Sequence, residues 1–401
     1  MLFTLEALEA AYGDCLLLHY GTPDNPRTIV IDGGPSGIYK TRLEPRLLEL
    51  KQSRVGDDSP LPLALVAVSH VDEDHIKGIL ELTAEMRRAK EDGDPRTFDV
   101  PQLWHNSFDD AVKAAAKPAE LDAPMKLAET GGGVHAKLTR AEEDSKLVLL
   151  SIPQGRQLRG DAAKLGIPVN PGFTKQLIVT PKKGSLKKDL GAGLTITIVG
   201  PRQEQLDALQ TDWAKYIAKA KKSKKLKPAE VEPVALAEFV DKSVYNLSSI
   251  VMLAECGGKK MLLTGDARGD YVIQALEESG LKKAGKPYHV DVLKLPHHGS
   301  WRNLADEFFE EITADHYVVS ANGKYDNPDK PTMASLLKVR AKGGYTIHLT
   351  NRKDFLHPGK ALPAATFLEK NAPKQNVTLD FADDSLDIPK VVVDLGQPLK
   401  D

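Results

Sequence analysis

The stretch "LALVAVSHVDEDHIKGIL", residues 63–80, constrains this chain more than any other. Its opening apolar run, rich in Leu and Val, reads as a strand buried on both faces, and such strands belong to parallel sheets covered by helices. The run ends in His70, Asp72, Asp74 and His75, four metal-ligand types within six positions. A single Asp or His there reads as a helix cap. Four together, at the carboxyl end of a strand, where open α/β sheets place their ligand sites, read as half of a metal site. Their side chains converge only if the turn is tight and a helix begins near residue 76. Imidazole with carboxylate suits Zn²⁺, Mn²⁺ or Fe, and the carboxylate oxygens tilt the balance towards Mn²⁺.

The rest of the chain supplies strands to complete such a sheet. "CLLLHYG" and "TIVIDGG" precede the cluster, and "SSIVMLAEC", "KKMLLTGDA", "HVDVLKLPHH", "DHYVVSANG", "YTIHLT" and "PKVVVDLG" follow, with helical patterns between several of them. That interleaving predicts an α/β fold with its sheets covered by helices, over a single domain spanning residues 1–401. Asp266 ends one of these strands and His297–His298 another, which makes them candidates for the second half of the site. Residues 107–190 mix helical stretches with glycine-rich loops and carry no chemical cluster, so they read as a partly helical insertion. Residues 214–232 read as a Lys-rich flexible loop. A net charge of −2 gives no sign of an extended nucleic-acid or membrane surface. No apolar run approaches the ~20 residues that span a bilayer. Glu6 and Glu9 sit where a signal peptide would be basic, and Cys15 and Cys256 lie in apolar segments as reduced thiols do. The expected location is therefore the cytoplasm. No phosphate-binding P-loop and no dinucleotide fingerprint follow a strand, so nucleotide-driven chemistry and hydride transfer are not supported.

"HVDEDH" resembles the HxHxDH motif of the metallo-β-lactamase (MBL) superfamily, with Asp72 in place of the middle His. The HxDxDH form resembles the ComEC-type MBL domain of competence DNA-uptake proteins. "YGDCLLL", "IVIDGGP", "NLSSIVMLAECGGKKMLLTGDA", "LKLPHHGS" and "SANGKYDNPDKPTMASL" are similar, in order, to further segments of that group. The resemblance implies a four-layer αβ/βα sandwich with a metal site in the cleft between the sheet edges. It implies one or two divalent ions, Zn or Mn. His70 and Asp72 would serve the first ion and Asp74 and His75 the second. Asp266 would bridge them, and His297 or His298 would complete the second site. Asp32 would support a ligand through hydrogen bonds, and Asn246, Ser300 and Arg302 would meet substrate.

The reaction implied is hydrolysis, with Asp74 or Asp266 accepting the proton of a water and His298 or Ser300 stabilising developing charge. The substrate implied is a phosphodiester, in nucleic acid or a small nucleotide. Local basic runs at 181–188 and 219–227 offer phosphate contacts, and Trp301 offers a stacking face. The alternatives are hydrolysis of a small ester, lactone or thioester, and a low-turnover metal-binding subunit that meets a protein partner through the insertion. Two departures stand out. Many MBL enzymes carry a further ligand His where this chain has "ITIVGP", and only His105 and His135 lie between His75 and His289. "DNP" at 326–328 stands where the ComEC-type loop often reads GHP, leaving Asp326 or Asn327 to take the role of that His.

Overall fold

The computed structural model describes residues 1–107, 140–181, 183–207, 211, 249–301 and 304–399. It is a mixed α/β structure. In the first part of the chain, β1 (Leu2–Leu8), β2 (Leu16–Thr22), β3 (Asn25–Ile31), β4 (Leu61–Pro62), β5 (Leu65–Val68), β6 (Phe98–Asp99) and β7 (Leu103–His105) alternate with helices α1 (Glu44–Arg54) and α2 (Glu73–Asp92). Helix α3 (Arg140–Leu165) and strands β8 (Leu186–Asp189) and β9 (Leu194–Gly200) follow. The last part runs β10 (Val251–Cys256), β11 (Lys259–Leu263), α4 (Gly269–Glu278), β12 (Tyr288–Lys294), α5 (Asp306–Glu311), β13 (Ile312–Val319) and α6 (Lys330–Val339). It closes with β14 (Tyr345–Leu349), α7 (Pro363–Asn371), β15 (Val377–Phe381) and β16 (Lys390–Asp394).

The first sheet has the order β16-β1-β2-β3-β5-β7 and the second β15-β14-β13-β12-β11-β10-β9-β8. Each sheet changes character across its width. β16, β1, β2 and β3 pair antiparallel, then β3, β5 and β7 pair parallel. β8 to β11 pair antiparallel, then β11 to β15 pair parallel. Parallel strands need both faces covered, and the apolar clusters supply the cover. Leu5, Leu18 and Ile29 of the first sheet pack with Ile198, Met252 and Val292 of the second. The other face of the first sheet, through Leu17, Val30 and Val68, packs on Leu47 of α1, Ile79 of α2 and Leu158 of α3. The other face of the second, through Leu262, Leu293 and Val319, packs on Leu276, Phe308 and Leu336. Each buried aliphatic side chain contributes about 1.5–3 kcal/mol towards holding these layers.

Of the segment expected to be an insertion, the described part packs into these clusters. Leu158 and Ala162 of α3 join the α2 side, and Phe173 and Ile178 join the layer between the sheets. Asn170 closes the end of β7, accepting the His105 N–H at 2.8 Å and donating to the His105 carbonyl at 2.7 Å. The Lys-rich loop at 214–232 and His135 lie outside the described residues. Among the described residues, no helix is long and apolar enough to cross a membrane.

Candidate metal centre

The functional side chains all follow the carboxyl ends of parallel strands. Asp32 follows β3, His70 follows β5, Asp266 follows β11, His297 and His298 follow β12, and Ser320 follows β13. The two sheets bring these ends together. The Ile250 N–H donates across the gap to the Ser69 carbonyl at 2.8 Å, and the Ser320 hydroxyl donates to the Gly13 carbonyl at 2.6 Å.

Helix α2 carries the first ligands, and its entry is built for that. Asp72 occupies the N-cap position with extended backbone, yet its side chain makes no capping bond. Its carboxylate turns instead to within 3.5 Å of His70 Nε2. Glu73 and Asp74 sit in the first turn, where the helix dipole favours negative charge. The loop after β3 clamps this turn: the Gly33 N–H donates to the His75 carbonyl at 2.7 Å, and Gly78 N–H donates to Gly34 at 3.1 Å. A Cβ on Gly78 would lie 2.0 Å from the Gly33 carbonyl oxygen, so two glycines must face each other there.

His75 and His298 meet at the centre. Their Nε2 atoms are 3.2 Å apart. His75 Nε2 lies 3.3 Å from Asp266 Oδ1 and 3.8 Å from Asp74 Oδ1. His298 Nε2 lies 3.4 Å from Asp74 Oδ2 and 3.5 Å from Asp266 Oδ1. Four donors around an ion at ~2.0–2.2 Å stand roughly 3.3–3.6 Å from one another in tetrahedral geometry, close to this spacing.

The tautomers strengthen the match. His75 Nδ1 donates to Asp32 Oδ2 at 2.9 Å, and His298 Nδ1 donates to the Ser320 carbonyl at 2.9 Å. With the proton fixed on Nδ1, each neutral ring turns a lone pair on Nε2 towards the other. Two facing lone pairs flanked by carboxylates repel unless a cation or extra protons sit between them. Asp266 Oδ1 and His70 Nε2 are buried and take no hydrogen bond, which is the condition of atoms that await a ligand. The residues present therefore fit a divalent cation.

The electrostatics agree. Burial pushes the His75 imidazole down, but Asp266, Asp74 and Asp32 carry it well above its ordinary value. Burial acts on His298 in the same way, and Asp266 and Asp14 outweigh it and bring the ring up to about 10. Burial alone would raise Asp266; His298, His75, His297 and His70 hold it well below the usual carboxylate range. Without a bound cation, the cluster keeps protons where a metal would otherwise sit.

The expected residues divide as follows. His75, Asp74, Asp266 and His298 converge in one group. His70 and Asp72 flank it, with His70 Nε2 at 3.8 Å from Asp266 Oδ2. The histidine pair splits: both residues have left-handed backbone (φ 48° and 53°), which sends buried His298 into the group and His297 to its outer side. His297 Nε2 lies 3.7 Å from Asp266 Oδ2 and is 32% exposed. Asp32 accepts the Ser69 N–H, the Ser69 hydroxyl and His75 Nδ1. Ser300 is buried, with its N–H on the His297 carbonyl at 2.9 Å. His105 is buried beside Gly155 of α3. Asn246 and Arg302 lie outside the described residues.

Two residues were not anticipated. Asp14 Oδ1 stands 3.4 Å from His298 Nδ1, and Asp14 Oδ2 stands 3.8 Å from His75 Nδ1. Asp14 is close enough to count with the donors. It approaches the Nδ1 edges, though, behind the rings, so it supports the histidines and does not share their open face. Lys294 Nζ pairs with Asp14 Oδ2, reaches the Gly265 carbonyl at 3.3 Å and lies 4.0 Å from Asp266 Oδ1. A Lys inside the apolar run "VLKLP" was the available signal, since an ammonium is rarely buried without a partner.

Comparison with known proteins adds the following. No family model matches the chain. A stretch of 104 residues, 25% of the chain, is 31% identical to the ComE operon protein 3 of Bacillus subtilis (strain 168). That stretch covers 12% of the relative, so the match concerns about an eighth of a much longer protein. A mutant of the CmlA beta-hydroxylase is similar over 97% of this chain and 54% of its own, at 11% identity and a TM-score of 0.35. Unliganded yeast PDE1 is similar over 96% of this chain and 98% of its own, at 10% identity and a TM-score of 0.33.

Proposed function

We propose that this chain is a metal-dependent hydrolase with the four-layer MBL sandwich, and that it cleaves phosphodiesters in nucleic acid or a small nucleotide. The observation that carries this reading is the convergence of His75 Nε2, His298 Nε2, Asp74 and Asp266 with both Nδ1 protons already committed. The stretch similar to the ComE operon protein 3 and the HxDxDH form of the first motif support the phosphodiester branch.

His75, Asp74, Asp266 and His298 would hold one Zn or Mn ion, with His70, Asp72 and His297 on the side where a second would lie. A divalent ion there supplies an acidified water and polarises a phosphoryl oxygen. The chain's own residues do the rest. Asp74, on the mobile-water side of the group, accepts the proton of the attacking water. Asp266 stays ionised under the histidines and orients that water. His297, on the outer side, donates towards the leaving oxygen. Asp32 and the Ser320 carbonyl keep the two central rings in one tautomer through the cycle.

The test joins metal analysis to hydrolysis. Purified protein should contain a divalent metal and cleave bis(4-nitrophenyl) phosphate, chelator should abolish the cleavage, and Mn²⁺ or Zn²⁺ should restore it. Asp74→Ala should lower kcat by about 10³-fold or more with its circular dichroism unchanged. Wild-type turnover in Asp74→Ala, or cleavage of 4-nitrophenyl esters alone, defeats the reading.

A further inference from the structure

The mouth of the metal centre is framed by two loops that the proposed chemistry does not use. The first, around Tyr12, is pressed onto the cluster. The Asp14 N–H donates to the Asp74 carbonyl at 3.2 Å, and a Cβ on Gly13 would stand 1.9 Å from that same oxygen. Tyr12 is half-buried there, and besides burial the carboxylates of Glu73 and Asp74 both act on its hydroxyl, which locates the ring beside the acidic side of the site.

The second loop, 322–329, is a closed turn. The Gly323 N–H donates to the Asn327 carbonyl at 2.9 Å, and the Lys324 N–H donates to Asn322 Oδ1 at 3.1 Å. It is also tied to the histidine loop, because the Asp329 N–H reaches the Gly299 carbonyl at 3.2 Å and the Trp301 N–H reaches Asp329 Oδ2 at 2.7 Å. The two loops meet through Lys324. Its ammonium stands 3.6 Å from the centre of the Tyr12 ring and 5.1 Å from that of Tyr325, and the rings pack edge-to-face at 5.4 Å.

A lysine carries roughly 2 kcal/mol of side-chain rotamer entropy, so an ammonium fixed over two rings is ordered before any ligand arrives. The contact with each ring is worth about 0.5–2 kcal/mol. Arg268, the cation that follows Asp266, is bound at its guanidinium by Asp270 through contacts of 2.7 and 3.1 Å. A carboxylate-rich centre repels an anionic substrate unless positive charge waits at its mouth. Exposed Trp301 borders the same loop and offers a flat face beside that charge.

We infer that Lys324, held between Tyr12 and Tyr325, is the anchor for the phosphate group of an incoming phosphate ester and sets the preference for anionic over neutral substrates. The inference rests on the hydrolase reading for its catalytic half and on anion binding alone for the rest. "NGKYDNP" departs from the GHP form at this loop, so the anchor belongs to this chain's own sequence.

Inorganic phosphate titrated calorimetrically into Mn²⁺-loaded full-length protein tests it directly. Lys324→Ala should weaken phosphate binding about tenfold, while Lys324→Arg stays within about threefold of wild type. Tyr12→Leu, which removes the ring and leaves the charge, should fall between. Metal content and melting temperature should not change in any of the three. With bis(4-nitrophenyl) phosphate, Lys324→Ala should raise KM about tenfold at nearly constant kcat, and with 4-nitrophenyl acetate it should change nothing. Equal phosphate affinity in wild type and Lys324→Ala, or no phosphate binding to wild type at millimolar concentration, overturns the anchor. If phosphate binding depends on Lys324 but no phosphodiester is hydrolysed, the anchor stands and the hydrolase reading falls. If hydrolysis proceeds and Lys324→Ala alters neither affinity nor KM, the reverse holds.

Discussion

Glu6 and Arg46 are buried as deeply as Asp266 and His298, yet the two regions handle buried charge in different ways. Arg46 grips Glu6 through Nε at 2.9 Å and through a second guanidinium nitrogen at 2.7 Å. His19 stands beside them with Nε2 3.6 Å from Glu6, and its Nδ1 meets the Thr28 hydroxyl at 2.8 Å. Every contact there sets a donor against an acceptor. Burial alone would raise the Glu6 carboxyl, but His19 and Arg46 hold it far below its ordinary value of 4.5. At the metal centre, acceptors face acceptors: two Nε2 lone pairs and the carboxylates of Asp74 and Asp266 point at one another. The first region is complete in the protein as it stands. The second is complete only with a cation. Burial of charge alone is therefore no mark of function, whereas convergence of acceptors is.

The largest effect that sharpens this contrast is on stability. Glu6→Gln leaves the buried Arg46 charge without its bidentate partner and should cost about 3–5 kcal/mol in urea unfolding. It should leave unchanged the gain in stability on adding Mn²⁺ or Zn²⁺. That gain is about 2.7 kcal/mol at a cation concentration of 100 Kd. Asp266→Asn should behave in the opposite way, abolishing the cation-dependent gain. The contrast breaks if Glu6→Gln loses the metal response or if Asp266→Asn keeps it.

Asp32→Asn probes the supports behind the centre. Asp32 accepts three hydrogen bonds and has left-handed backbone (φ 61°), a conformation that Asn adopts as readily. The substitution weakens the acceptor that fixes His75 Nδ1–H, so metal affinity should fall by about 10–100-fold while the fold survives. A competition titration against a chromogenic chelator reads this. Unchanged affinity would mean that Asp32 acts on Ser69 alone.

These regions were not equally legible in the sequence. His70, Asp72, Asp74 and His75 were readable because one strand end and one helix start bring them together locally. Asp266 and the histidine pair were readable because each ends an apolar strand. Asp14 and Lys294 were not, since the pair joins a loop before β2 to the end of β12, and only the packing of one sheet on the other makes them neighbours. The division of labour between His297 and His298 depends on two consecutive left-handed residues, which no spacing rule encodes. The Glu6–Arg46 pair joins β1 to α1 and was hidden for the same reason, although a Glu within the apolar segment "LFTLEAL" signals a buried partner. The layering was legible from strand content. The part of 153–181 that packs into it was not, because helix α3 carries no chemical motif to place it.

The smallest effect separates the two regions by pH. Glu6 has a depressed folded-state pKa, so its contribution to stability is present above its ordinary value of 4.5 and is lost as pH falls through the folded value. In the metal-free protein His75 and His298 have raised values, so theirs is fully present below the ordinary 6.5 and is lost as pH rises, through about 10 for His298. A cation must displace those protons, because it takes the same Nε2 lone pairs. Near neutral pH its binding should release one to two protons, and affinity should rise by up to about tenfold per pH unit for each proton released. Calorimetric metal titrations in buffers of different ionisation enthalpy count the protons. Zero release near pH 7 would mean that the rings are already neutral, and the centre would then differ from the Glu6 region in geometry but not in its demand for a cation.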